Sequence, residues 1–200
     1  MVNKERRSSA SQHLTDPDDL AEPPPSQTLS FRFTDFGCTK GNITDAADPT
    51  STILYHIWSN TWKRQVVFID SADRELARVT YSTWCNKLTV NFRGQATEMK
   101  TPNKWTNKSY DYTSIVLANS HLRWERHSGT GWKKQIFSCV NAQSVPIARM
   151  ILRNHWWKAG IVWVEFLGEQ STPQDIREEL MVTGLSLCFV YQMSPHGPYG

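Results

Sequence analysis

Four cysteines (Cys38, Cys85, Cys139 and Cys188) and six histidines are the residues of this 200-residue chain that could hold a metal or supply a nucleophile and its base. Their spacing assembles neither. No two cysteines form a C-x-x-C pair, and none stands at metal-ligand spacing from a histidine. His121 and His127 bracket one candidate strand and face one side, but too far apart to share an ion without a further loop ligand. Asp70, Asp73 and Glu75 make an acidic turn, read as a solvated hairpin tip rather than a calcium loop. The H-E-x-x-H, G-x-S-x-G, G-x-G-x-x-G and P-loop patterns do not occur, and nothing sets a nucleophile beside a base and an oxyanion donor. The chain is therefore read as non-enzymatic, with no catalytic residues, no cofactor and no metal.

Charge is the stronger lead. The net charge of +3 is too small to indicate a nucleic-acid binder. Its distribution is uneven. Between Ser82 and Lys158 twelve basic residues stand against three acids, a net of +9, whereas residues 159–200 hold five acids and only Arg177. A fold that keeps these segments apart has a basic flank, and such a flank attracts anionic headgroups at about 1 kcal/mol per Lys or Arg near a negative membrane. Arg123, Lys133, Lys134, Arg149 and Arg153 are the candidate residues for that contact, with Arg149 and Arg153 on one face of their strand. A solvated outer wall whose charges aid solubility is the competing explanation. Nine tryptophans are many for this length. The pair Trp156-Trp157, in a turn-like stretch, is read as a plug at one end of the fold rather than an interfacial contact.

The elements that must position these residues are mostly strands. Residues 1–28, rich in Ser, Asp and Pro and nearly devoid of large aliphatics, cannot bury enough surface to offset the entropy of ordering them and are read as a disordered tail. From Leu29 short β-like runs alternate with turn residues: 29–33, 52–58, 63–69, 75–81, 86–93, 114–118, 121–126, 132–140, 145–153 and 160–167. The run Asn86–Arg93 puts Leu88, Val90 and Phe92 on one face and Lys87, Thr89, Asn91 and Arg93 on the other. Ten such runs at short spacing predict an antiparallel meander closing into a sandwich or barrel.

The one helix is expected from about Pro173 to Met193, with Thr172 as N-cap. Its first two turns, Gln174–Glu179, are polar and are expected to face water. No Asp, Glu, Lys or Arg occurs from Leu180 onward, and the run Leu180–Met193 is apolar on every side. A helix of that kind must be surrounded. A bilayer span needs about 20 apolar residues, more than this run supplies. A barrel of about ten strands, by contrast, is too wide for wall side chains alone to fill. The predicted fold is therefore mainly β: a closed antiparallel β-barrel over residues 29–193 enclosing a hydrophobic C-terminal α-helix, with residues 194–200 as a short tail. Gly184 and Ser186 are the positions where the wall can come closest.

That combination resembles the tubby-like superfamily, which includes the tubby C-terminal domain, the phospholipid scramblases and the LURP-one-related proteins, and within it a family of short fungal proteins. The residues carrying the resemblance are Tyr55-His56-Ile57, Arg64–Ile69 followed by Asp70 and Leu76-Ala77, Leu122-Arg123-Trp124, Trp132 with its following strand, Pro146-Ile147-Ala148, and the Gly160–Leu167 strand ahead of the helix. It implies a barrel threaded by its last helix and, from the tubby domains, phosphoinositide binding. The expected function is a non-enzymatic tubby-like interaction or adaptor module; the alternative is peripheral binding of anionic phospholipid headgroups through the basic flank. Expected partners are an anionic membrane surface or another protein, not nucleic acid, and the chain is expected to be a monomer. The N-terminus MVNKERRSSASQHL has no apolar core of a secretory signal, so an intracellular, cytoplasmic location with free thiols is expected, peripheral at membranes if bound to them.

Overall fold

Strict alternation of apolar and polar residues makes most of the wall. In a computed structural model of the chain, which describes residues 24–35, 37–102, 109–127, 134–153, 161–168 and 172–193, twelve antiparallel strands lie in chain order. They are β1 (Pro25–Phe33), β2 (Lys40–Asp45), β3 (Ile53–Asn60), β4 (Gln65–Asp70), β5 (Glu75–Tyr81), β6 (Lys87–Phe92), β7 (Gln95–Lys100), β8 (Ser109–Thr113), β9 (His121–Arg126), β10 (Lys134–Asn141), β11 (Pro146–Arg153) and β12 (Ile161–Leu167). Each pairs with its sequence neighbours, and β1 returns to β12 with Leu29 opposite Val164 and Phe31 opposite Val162, closing the barrel. The β7–β8 junction is the thinnest in the ring, with the single register pair Lys100 opposite Asp111.

Every strand sends at least one side chain that is 2% exposed or less into the lumen, from Phe31 on β1 to Val164 on β12. Many outward positions, such as Asn42, His56, Arg78, Asn91, Arg123 and Arg149, are polar or charged, with Trp58, Val67, Ile151 and Trp163 among the exceptions. One helix, α1 (Gln174–Met193), fills the lumen, and Leu180–Val190 are buried without a break. Phe189 packs between Phe31 and Phe33 with ring centroids 6.2 and 5.8 Å away. Two strands around the wall from β1, the Cys188 Sγ lies 3.3 Å from the Met150 Sδ of β11. Trp124 meets the helix backbone closely: a Cβ at Gly184 would stand 2.9 Å from two atoms of its indole ring, while its Nε1–H donates to the Thr183 hydroxyl at 3.0 Å. Gly184 is thus a contact point, as expected; Ser186 instead turns its hydroxyl onto the Val182 carbonyl at 2.6 Å.

Several expectations are corrected. Strand β1 begins at Pro25, so residues 25–28 belong to the wall rather than to a disordered tail; Pro25 occupies the first strand position, where its missing N–H is tolerated. Residues 1–23 and 194–200 lie outside the described residues. The run 114–118 is not a strand but a turn leading into Ser120. Three strands arise where none was read: β2, β7 and β8. In β2 the glycine is required, because a Cβ at Gly41 would stand 2.3 Å from the Phe31 ring. Finally, α1 begins at Gln174, with the Pro173 carbonyl accepting the Arg177 N–H at 3.2 Å, and its first two turns are not simply solvated. Glu178 is 5% exposed and Glu179 is 1% exposed. All four cysteines are buried, and none forms a disulfide.

Candidate functional site

The two ends of the barrel differ in chemistry. The first end holds the start of α1 and the β2–β3, β4–β5, β6–β7, β8–β9 and β10–β11 turns. Here Glu178 and Glu179 point to different parts of the mouth. Glu178 accepts the Tyr55 hydroxyl at 2.8 Å and the Gln174 amide at 3.0 Å through Oε1, and the Arg93 guanidinium through Oε2. Arg93 comes from the tight β6–β7 turn at φ 49°, and its guanidinium also lies 5.4 Å from the Phe92 ring centroid. Glu179 accepts the Ser114 hydroxyl at 2.6 Å and the Ile115 N–H at 2.7 Å, so its carboxylate holds the β8–β9 turn in place. The neighbouring Arg177 donates to the Gln27 side-chain oxygen at 2.8 Å, tying the helix to β1.

Beside Glu178 opens a cleft of about 830 Å³, walled by Tyr55, Arg74, Arg93, Asp175 and the Asp70–Ser71 hairpin tip, with a recess of about 250 Å³ adjoining it. Asp70, expected at a solvated tip, closes that turn by accepting the Ala72 and Arg74 N–H groups at 2.9 Å and pairing with the Arg74 side chain. Burial, followed by the hydrogen bond to Glu178, pushes Tyr55 up to about 12. Its hydroxyl is therefore a donor at neutral pH and not a base. Glu178 is thus engaged by three donors, each of which fastens the mouth. Among the described residues no group of three or more His, Cys, Asp and Glu could hold a metal.

Of the five predicted anionic-lipid residues, four lie on the adjacent strands β9, β10 and β11, and two of them already face carboxylates. Arg123 projects from β9 and donates to Asp111 at 2.6 Å and Glu125 at 3.2 Å. Arg149 projects from β11 and donates to Glu165 of β12 at 2.7 Å. Lys134 and Arg153 are register partners on β10 and β11, about 13 Å along the strand from Arg149 at 3.4 Å per residue. Lys133 lies outside the described residues, as do Trp156 and Trp157. The supposed separation of charge fails for a topological reason. The acidic C-terminal segment becomes β12 and α1, so Glu165 sits beside β11 and Glu178 beneath Arg93. Acid and base distant in sequence meet across the barrel seam and through its lumen.

At the second end stand the β1–β2, β3–β4 and β5–β6 turns. Trp62, in the β3–β4 turn, is 97% exposed, and Trp84, in the β5–β6 turn, is 75% exposed. Trp58, on the outward face of β3 below them, is 42% exposed. The two turns are fastened to each other and to the core. The Tyr81 N–H donates to the Arg64 carbonyl at 3.1 Å, the Arg64 guanidinium to the Thr83 hydroxyl, and the buried Tyr110 hydroxyl to the Cys85 carbonyl at 2.7 Å. The sequence carried a signal for this feature: a tryptophan within a four- or five-residue connection between strands has no lumen to enter. No match to this chain was found among protein-family models, curated proteins or solved structures.

Proposed function

We propose that this chain is a tubby-like, non-catalytic interaction module that works through the outside of its barrel. The observation that carries this reading is the filled lumen. Leu180–Val190 are buried throughout the helix, so the space in which a barrel of the carrier type holds a small molecule is taken by the protein's own chain. The barrel threaded by its last helix is what the tubby-like resemblance implies, and the occupied carboxylates of Glu178 and Glu179 support a module without chemistry. An intracellular location belongs to the same proposal; among the described residues no helix is long and apolar enough to cross a membrane.

Headgroup binding through the outer-wall arginines is the weaker form of this proposal, since Arg123 and Arg149 already face carboxylates. These pairs cancel charge that a membrane would otherwise feel. The test is a metabolite-mixture assay run beside capture experiments with protein and lipid extracts. Saturable retention of a partner without turnover is expected. Conversion of any component that depends on the folded chain and is lost in Glu178→Gln would overturn the reading.

A further inference from the structure

Among the described residues the three most exposed tryptophans occupy one rim of the barrel, and four cations beside them are unpaired, although Lys87, after the Trp84 turn, pairs with Glu98. Arg32 near the end of β1, Lys40 at the start of β2, and Lys63 and Arg64 in the β3–β4 turn take part in no ion pair among the described residues, unlike Arg123 and Arg149 on the wall. Lys40 is the register partner of Trp58. The one carboxylate among the described residues of these three turns, Asp35, is turned inward on its own loop, accepting the Thr39 N–H at 2.9 Å and the Lys40 N–H at 2.8 Å.

We propose that this end of the barrel docks onto the headgroup layer of an anionic lipid bilayer, with Trp62 and Trp84 entering the interface and Arg32, Lys40, Lys63 and Arg64 facing acidic headgroups. The proposal rests on the interaction-module reading and names its surface and partner. Three observations favour a bilayer over a folded partner. First, a side chain that is 97% exposed has no neighbours with which to build a flat patch. A folded partner would need a preformed pocket for it, whereas a bilayer interface envelops it from all sides. Second, tryptophan has an apolar body and one N–H, which suits the headgroup level. Third, positive charge without intervening acid is complementary to acidic lipid and opposes a basic protein surface. The rim is also preorganised. Arg64 and Cys85 hold their turns at φ 49° and 53°, and the hydrogen bonds joining the turns leave little to order on docking. The turns sit two strands apart, about 10 Å, so both tryptophans meet one plane.

The experiment uses the full chain with vesicles of phosphatidylcholine alone and of phosphatidylcholine mixed with phosphatidylserine. Binding to the acidic vesicles alone, weakened by salt and accompanied by quenching of tryptophan emission by brominated lipid, is expected. W62A/W84A should lower binding about tenfold or more, and K40Q/K63Q about thirtyfold. Neither pair should move the melting temperature, because the substituted side chains are exposed. Unchanged binding in W62A/W84A, with loss in R123Q/R149Q, would return the contact to the wall and overturn the proposal. So would self-association of the chain that W62A/W84A abolishes without any vesicle binding, which would make a second copy the partner. Failure to bind vesicles while still retaining a protein partner would refute the membrane contact and leave the module standing; turnover in the metabolite assay would refute the module itself.

Discussion

Removing the Glu179 carboxylate should loosen the barrel mouth, and the contacts allow the size to be worked out. Its two oxygens accept the Ser114 hydroxyl at 2.6 Å and the Ile115 N–H at 2.7 Å, with the Val116 N–H more distant at 3.4 Å. Ser114 is fully buried, so water does not replace a lost acceptor there. Hydrogen bonds to charged groups contribute about 1.5–3 kcal/mol each, and an orphaned buried donor costs about 1–3 kcal/mol. Against this, Glu179→Ala no longer buries a carboxylate, which offsets part of the loss. Two strong bonds less that offset leave a destabilisation of about 2–4 kcal/mol, or a fall in melting temperature of roughly 5–15 °C for a chain of this size. Glu179→Gln separates acceptor chemistry from mere volume. The Gln oxygen can keep the Ile115 N–H, and the Ser114 hydroxyl, which also accepts, can rotate to take the amide N–H, leaving only the distant Val116 N–H opposite a donor. Gln should therefore keep part of what Ala loses. The assay is thermal melting with amide hydrogen exchange at Ile115, whose N–H should lose protection in the Ala variant and keep most of it in the Gln variant. An Ala variant that melts with the parent and keeps the Ile115 amide protected would refute the reasoning.

Other perturbations have equally direct outcomes. Gly184→Ala gains up to about 1 kcal/mol of helix propensity but pushes a methyl group against the Trp124 indole at 2.9 Å, and overpacking of about 1–3 kcal/mol should win, lowering the melting temperature. Leu185→Asp places a carboxylate in a fully buried position at a cost of several kcal/mol, comparable to the whole stability of a domain, and should yield no cooperative melt. Burial pushes Tyr55 and Tyr81 up to about 12 from 10. Their folded values lie above the unfolded one, so the stability they contribute is complete below pH 10 and drains away as pH rises toward about 12, which phenolate absorbance and melting should report together. Burial also raises the thiols of Cys85, Cys139 and Cys188. Thiol reagents should therefore label these three only after unfolding, and labelling of the native chain would contradict the core packing.

What was legible in the sequence followed from single-element patterns. Leu88, Val90 and Phe92 announce an inward face without any knowledge of partners, and the unbroken apolarity after Leu180 requires an enclosure that only the rest of the chain can supply. What was hidden depended on partners distant in sequence. Pro25–Thr28 resemble a loose polar tail until β12 comes alongside, where the Ser26 hydroxyl donates to the Phe166 carbonyl at 3.2 Å. Lys40–Asp45 lacks strand-forming residues apart from Ile43 and Thr44, yet Gly41 is what leaves room for the Phe31 ring against β2. Glu178 and Glu179 look like any charged helix start; their burial follows from Tyr55, Arg93 and Ser114, three residues from three separate parts of the wall. The basic flank was read from a charge tally along the chain, and a tally cannot register that β12 lies beside β11.

The strand order has a consequence for how such a chain assembles. Eleven of the twelve pairings join consecutive strands and can zip locally as hairpins. The twelfth joins β1 to β12 across the whole length of the wall, as in the contact 140 residues apart between Ser26 and Phe166, and carries the loop-closure cost of a long-range contact. Helix α1 follows every strand in the chain. During synthesis the curved sheet therefore exists for a time as an open trough, with its greasy side uncovered and two raw edges, before its plug has been made. The order of events is constrained as well: the plug must lie in the trough before the seam shuts, because a sealed wall admits no helix from the side. The most hazardous moment for this protein falls when nearly all of its wall has been synthesised and the plug has not.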